Sequence, residues 1–599
     1  MTDPFHDLTG RTSLQGAKGL AAARIVVGLV QGLLLYLLYS AASPSDALSW
    51  PATQPPLFGG LLLACGFTPV MLLAGIGRLP LRFLALWAVV AAAVLGLLGW
   101  HDVARQARDY GFHPPFLTFP ALAFSAAALF IAHHLIVPAV AARRWIADFD
   151  DYFDTAWKAG VQLALSLGFT GAFWLLLHLG AALFKVIGLG FLESLITEEW
   201  FAIPVTCLVF AVAVQLTDVR GGLIRGVRTV ALMLLSWLLP VIAVLAAGFL
   251  IALPFTGFEG LWRTGSATAL VLSTAAALII LINACYQDGR EDNLPPVVLR
   301  LAARVAAVLL TPLVLIAIWG LSLRIGQHGL TPDRIIASAC ALVGVVYALG
   351  YGWAALSPFW RKTAWMKPLE RTNVAAAVLS VLVVLALFSP LLDPARLSVN
   401  DQTARLKRGA VSPADFDYAF LKFEAGVVGR DALLDLTRSP NAEIARRAKQ
   451  TRAAESRYDV ERAAVPPRKP TIEAWPAGAA LPARFDAPVP GDDPRYACGR
   501  SDGCVAVLRD LNGDGREEVL MATRFNIALF ALDADGQWKH RGDYNIRSCP
   551  GLPGGDFREL LKSSDLAPVS PPWPDLNLGG RTARMTPQET CPTPSAVNP

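Results

Sequence analysis

Residues 510–518, in the run DLNGDGREE, alternate oxygen-bearing side chains with turn residues. Asp510, Asn512 and Asp514 stand at positions one, three and five of a loop. Gly515 permits a sharp turn, Arg516 offers its backbone carbonyl, and Glu518 stands at position nine. Ca2+ takes hard oxygens at about 2.3–2.6 Å, and this spacing lets a tight loop aim them at one point. The chemistry expected here is Ca2+ binding. A metal-free hairpin whose Asn and Asp side chains bond the turn backbone would use the same residues.

Four cysteines, Cys498, Cys504, Cys549 and Cys591, share the C-terminal part of the chain with this loop, whereas Cys65, Cys207, Cys285 and Cys340 are scattered singly through apolar stretches. An even set confined to one domain is the pattern of an oxidised framework on the export side of a membrane. Cys498 with Cys504 and Cys549 with Cys591 is the pairing expected.

Elsewhere the chemically able residues are sparse. No Walker loop, G-x-S-x-G elbow or H-E-x-x-H helix occurs, so no catalytic set is identified. Glu193, Glu198 and Glu199 in FLESLITEEW lack a nucleophile or metal ligand beside them. Asp148, Asp150, Asp151 and Asp154 in DFDDYFD interleave with Phe149, Tyr152 and Phe153, as on an amphipathic helix at a membrane surface. His133, His134 and His178 differ too much in depth to share a metal and are expected to hydrogen-bond between helices. Asn283, Gln287, Asp288 and His328 are the polar residues left as a candidate site in the membrane region.

The elements that position these groups follow from composition. The 599 residues are 54% hydrophobic and 17% charged, with mean hydropathy +0.46. Residues 1–395 hold 24 Lys+Arg and 20 Asp+Glu, and the shorter remainder holds 28 and 27. A soluble enzyme is excluded, and the near-neutral balance of both parts leaves no basic patch for nucleic acid. A bilayer core needs roughly 20 apolar residues. Eleven stretches qualify, near 20–42, 57–77, 83–100, 116–141, 159–184, 201–217, 229–253, 267–286, 301–322, 335–357 and 374–392. None of these contains Asp or Glu, and Arg24, close to one end, is expected to snorkel to the interface. Lys and Arg alternate strongly between loops, 18 on the N-terminal side against 6 opposite. The N-terminus is therefore expected in the cytoplasm and the C-terminal part outside it.

Several stretches together resemble a bacterial family of polytopic inner-membrane proteins known only as a domain of unknown function. They are FWLLLHLGAALFKVIGLGF (173–191), INACYQDG (282–289), LRIGQHGLTPDRI (323–335), YALGY (347–351) and DFDYAFLKFEAGVVGRDAL (415–433). The resemblance implies a many-span protein with an exported tail and brings no reaction or site residues. The loop at 510–518, between β-like runs, is similar to the calcium hairpins of FG-GAP and VCBS repeats. It has Glu518 where those have Asp, and one copy where a propeller needs several.

The chain thus reads as an α-helical polytopic membrane protein of about eleven spans with a small C-terminal α+β exported domain. Residues 1–395 form the membrane domain, 396–465 a helical exported segment, 466–495 a Pro-rich linker, 496–562 a β-rich, disulfide-tied domain with the calcium-type loop, and 563–599 an irregular tail. The expected setting is the bacterial inner membrane, with the last part periplasmic. The expected role is an envelope binding or scaffolding protein contacting the lipid bilayer and an envelope protein partner. The alternative is a carrier for a lipid-like or weakly polar solute.

Overall fold

The computed structural model describes residues 14–43, 48–106, 116–219, 221–257, 267–290, 294–359, 364–464, 469–489, 493–499, 503–544, 556–563, 566, 576–578 and 581–583. The chain divides into two compact units, Met1–Ala448 and Lys449–Pro599.

In the first unit, eleven helices among the described residues are long and apolar enough to cross a membrane, each at one of the eleven expected stretches. In chain order the helices are α1 (Leu14–Ala41), α2 (Pro55–Gly75), α3 (Leu81–Ala104), α4 (Phe119–Ala142), α5 (Phe149–Val186), the short α6 (Phe191–Thr197), α7 (Glu199–Val219), α8 (Gly221–Thr256), α9 (Ala267–Tyr286), α10 (Val297–His328), α11 (Pro332–Leu356) and α12 (Pro368–Leu387). DFDDYFD forms the opening turns of α5 itself rather than a separate surface helix, with Asp150 and Asp151 at the positive end of the helix dipole.

α10 is the central post. Leu299, Ala303, Ala306, Ala307, Leu310, Leu313, Val314 and Ala317 recur at helical spacing and are all buried, in a core shared with α8, α9 and α11. Small residues bring other pairs close. On α1, a Cβ at Gly32 would stand 2.5 Å from Pro204 Cα, and one at Gly28 2.5 Å from Ala211 Cβ on α7. This is the Gly-xxx-Gly contact of membrane helices, in which backbones touch because no side chain intervenes.

Beyond α12 the first unit continues with α13 (Pro394–Lys407), α14 (Tyr418–Phe423), α15 (Gly426–Leu436) and the first half of α16 (Ala442–Ala453), which bury Val399, Leu421, Leu433 and Ile444 together. α13 clasps the end of α10. Arg405 donates to the carbonyls of Gly326 and Gln327 at 3.2 and 2.8 Å, and Gln402 to those of His328 and Leu330 at 2.8 and 3.0 Å. Asp401 accepts from the Leu330 N–H at 2.8 Å. These bonds satisfy carbonyls that a helix C-terminus leaves open and place a cation at its negative end.

The second unit contains α17 (Arg457–Ala464) and a five-stranded sheet ordered β1 (Ile472–Trp475), β2 (Cys504–Arg509), β3 (Glu518–Ala522), β4 (Ile527–Leu532) and β5 (Trp538–Tyr544). β1 is parallel to β2 and the rest is an antiparallel meander. Alternation sends Ala506, Val519, Met521 and Phe530 to one face, and Val505, Val507, Leu520 and Ala522 to the other, where α18 (Phe557–Ser563) adds Leu561. The Pro-rich stretch is built into this unit, because it supplies β1 and the fully buried Phe485. A hairpin of β6 (Leu576–Leu578) and β7 (Arg581–Ala583) lies in what was expected to be an irregular tail. Cys498 and Cys504 form a disulfide with Cα atoms 5.2 Å apart. Cys549 and Cys591 lie outside the described residues.

Candidate functional site

At the Arg-rich end of the bundle, where the chain passes from α4 to α5 and leaves α9, four helices surround a cavity of 200 Å³. α5 supplies Phe149, Tyr152, Phe153, Ala156 and Trp157, which share one face because they recur at helical spacing. α4 supplies Phe130, Ile131, His134 and Leu135, α12 supplies Asn373, Val374 and Ala377, and α9 supplies Asn283. The aromatic side chains contact in series, with ring centroids 6.1 Å apart for Phe149 and Phe153 and 6.0 Å for Phe153 and Trp157.

Its polar side is a closed ring of hydrogen bonds. Asn283 Nδ2 donates to the Tyr351 hydroxyl at 2.7 Å, that hydroxyl donates to Asn373 Oδ1 at 2.7 Å, and Asn373 Nδ2 donates back to Asn283 Oδ1 at 2.7 Å. Each bond polarises the next in the same sense. Tyr351, on α11, is fully buried. One turn along α9, Tyr286 donates to Glu370 Oε1 at 2.8 Å, and Glu370 also pairs with Lys367 at 2.8 Å. The contacts 283–373 and 286–370 step three residues in opposite chain directions, the register of two antiparallel helices.

His134 contributes the remaining polar group. Its Nδ1 lies 2.7 Å from the carbonyl oxygen of Phe130, and its Nε2 is buried with no partner among the described residues. His133 instead accepts from Trp87 Nε1 on α3 at 3.2 Å, the interhelical bond expected of it. His178 is exposed and packs on Trp174 with centroids 6.1 Å apart.

A second polar cluster lies at the same end. Arg24 is buried, not snorkelling: it donates to Asp218 Oδ2 at 2.7 Å, Gln215 Oε1 at 2.6 Å and the Ile76 carbonyl at 3.1 Å. Arg78 reaches Gln162 at 3.2 Å and Asp218 at 3.5 Å. Asp218 falls in the last turn of α7 and Asp102 in the last turn of α3, each just beyond the acid-free apolar stretch of its helix. Asp102 is buried and accepts from the Arg105 guanidinium at 2.6 Å and from the Thr118 N–H at 2.7 Å.

Residues 57–438 match the family described as a domain of unknown function, DUF4153. The chain belongs to the DUF4153 family. No curated protein and no solved structure matches it. The DUF4153 region holds the whole cavity and its ring of hydrogen bonds, and all of the second cluster but Arg24.

Of the four polar residues singled out in the DUF4153 sequence, Asn283 reaches the cavity. Gln287 and Asp288 build the turn after α9, Gln287 with φ 54° and Asp288 accepting from the Arg290 N–H at 3.3 Å. His328 ends α10, 32 residues long and so about 48 Å from its start at the cavity end. Its carbonyl serves the α13 clasp. Asn373, Tyr351 and His134 were missed as site residues. Asn373 stands one residue before the apolar stretch that begins at 374, and a polar residue at that margin is the signal that was available.

The carboxylates of FLESLITEEW are occupied singly: Glu193 pairs with Lys185 at 2.8 Å and Glu199 accepts from the Tyr39 hydroxyl at 2.8 Å. In the second unit, the loop at 510–518 turns its side chains onto its own backbone. Asp510 accepts from Gly513 and Gly515 at 2.7 and 3.0 Å, Asn512 from Asp514 at 2.9 Å, and Asp514 from Arg516 at 2.8 Å. The Arg516 N–H and then the Asn512 amide hold the Asp514 carboxyl below the usual range. Glu518 is buried and accepts from the Leu511 N–H at 2.8 Å. Among the described residues no three His, Cys, Asp or Glu side chains converge as a metal site.

Proposed function

We propose that this protein is a membrane-embedded binding protein whose cavity between α4, α5, α9 and α12 holds part of one lipid-like molecule. The observation that carries the reading is the composition of that cavity: aromatic and aliphatic walls interrupted by the imidazole of His134 and the amides of Asn283 and Asn373. Ligand sites are mostly apolar with a few convergent polar groups, and complete small-molecule pockets span about 300–1,000 Å³. A cavity of 200 Å³ takes a head or a ring, leaving the rest of the molecule in the bilayer. The expected setting is the inner membrane of a bacterium, the Arg-rich end cytoplasmic by the charge rule and the sheet unit periplasmic. There the sheet unit acts as the scaffolding part, meeting an envelope protein.

The test is lipid analysis of the purified full chain. Wild type should retain about one lipid per protein through delipidation, and Ala377→Trp, which fills the cavity, should retain none. Equal retention by both would overturn the proposal. The same cavity favours the second reading, a carrier, which requires ligand movement between leaflets of proteoliposomes containing the protein.

For the loop at 510–518 the proposal is Ca2+ binding through Asp510, Asn512, Asp514, the Arg516 carbonyl and Glu518. Support comes from the exposed carboxylates of Asp510 and Asp514 and the buried Glu518 that fixes the loop base. Saturable heat on Ca2+ titration of the oxidised full chain, lost in Asp514→Ala, is the expected result. No heat at millimolar Ca2+ would reduce the loop to a turn.

A further inference from the structure

We infer that the cavity selects a neutral lipid bearing a hydroxyl group, as in a diacylglycerol or a long-chain alcohol, over fatty acids and amine-headed lipids. This rests on the lipid-pocket reading above and adds the chemistry of the head.

The backbone fixes where the proton on His134 sits. A carbonyl oxygen has none to give, so the 2.7 Å contact with the Phe130 carbonyl requires that Nδ1 carry the hydrogen. Nδ1 is thereby turned back on its own helix, and Nε2 lies at the outer edge of the ring. The ring lines the cavity and is 6% exposed. Among the described residues no Asp or Glu lines the cavity, so a second proton would leave a buried cation without a counter-ion. The imidazole is therefore neutral, and its unpartnered Nε2 is an acceptor. A buried acceptor without a partner calls for a donor.

The ring of hydrogen bonds supplies the complement. Asn373 spends one amide hydrogen on Asn283 and has a second beyond the ring. His134 and Asn373 both line the cavity, and a hydroxyl head inserted between them would donate to the covered Nε2 of the first and accept from the amide of the second. A carboxylate would set its lone pairs against that of Nε2, with no cation lining the cavity to compensate. An ammonium head would be desolvated with no carboxylate among the described lining residues to pair with it.

The experiment uses the full chain in phosphatidylcholine nanodiscs with three photoactivatable probes of the same chain length: a long-chain alcohol, its methyl ether and the corresponding fatty acid. The alcohol should label the segments around 130–134 and 149–157, and should do so about tenfold more than the ether, one hydrogen bond converted to affinity. His134→Phe, which keeps a ring and removes the acceptor, should abolish that difference. Comparison of alcohol with ether on wild type decides the matter even where the variant does not fold. Ether or fatty acid labelling as strong as the alcohol would overturn the hydroxyl preference while leaving the lipid pocket standing. Labelling of these segments by none of the probes would overturn both.

Discussion

Asn283 and Asn373 stand ninety positions apart in the sequence and face each other at 2.7 Å, amide to amide, with the Tyr351 hydroxyl bonded to both. Three helices, α9, α11 and α12, are joined by this one ring. Removal of any member leaves each of the other two with an unpaired group at a largely buried site, at a cost of about 1–3 kcal/mol. Tyr351→Phe and Asn373→Leu should each lower the thermal midpoint of the purified protein. The double variant should lose clearly less than the sum, because the second change removes a partner already lost. Additive losses would show that the ring does not act as a unit.

Arg24 gives a second prediction. Its side chain is 4% exposed and Asp218's 27%. Truncation of a buried ion pair on one side costs about 3–5 kcal/mol, mostly for the charge left behind. Arg24→Met should sit at the lower end of that range, since Arg78 remains 3.5 Å from Asp218. Adding Asp218→Asn to Arg24→Met should restore part of the loss. Thermal unfolding of the wild type and the two variants checks this, and no recovery in the double variant would count against a direct pairing.

Much of this was legible in the sequence, and what was not has physical causes. The eleven spans follow from hydropathy because a bilayer demands length and apolarity, and both are local properties. The four antiparallel strands follow from alternation between turn signals. Asp218 and Asn373 escaped because each stands one residue beyond a hydropathy boundary, while the helix continues past the apolar core. Arg24 escaped because only tertiary structure decides whether a long cation turns outward or meets a carboxylate 194 positions away. β1 and Phe485 were hidden by eight surrounding prolines, whose composition says linker while a parallel edge strand needs only four residues. GQHGLTPDR, a polar stretch of unstated purpose, is explained by the carbonyls it gives to Gln402 and Arg405.

The close approach of α1 and α7 yields a third prediction. Gly32→Leu places a side chain where Pro204 already stands and should reduce folded yield severely, by overpacking worth about 1–3 kcal/mol or more. Gly66→Ala is the control, for its added Cβ meets nothing within 4 Å. Fluorescence-detected size exclusion of both variants distinguishes them, and similar profiles would refute the contact.

A fourth concerns acid. The Arg558 guanidinium beside Asp556 lowers its carboxyl to about 2. An unfolded Asp titrates near 3.9, so this depressed group adds stability that is complete above about pH 4 and disappears as the pH falls through about 2. Hydrogen exchange at 557–563 should therefore quicken across that window, and Asp556→Asn should flatten the change. An unchanged pH profile in the variant would contradict the assignment.

An electron cryo-microscopy map of the full chain in lipid nanodiscs would reveal whether the cavity between α4, α5, α9 and α12 holds a lipid-like molecule. Elongated non-protein density is expected there, with its head between His134 and Asn373 and its tail leaving past Phe153. A closed cavity, with the aromatic side chains of α4 and α5 in contact and the His134 ring bonded to protein alone, would contradict it.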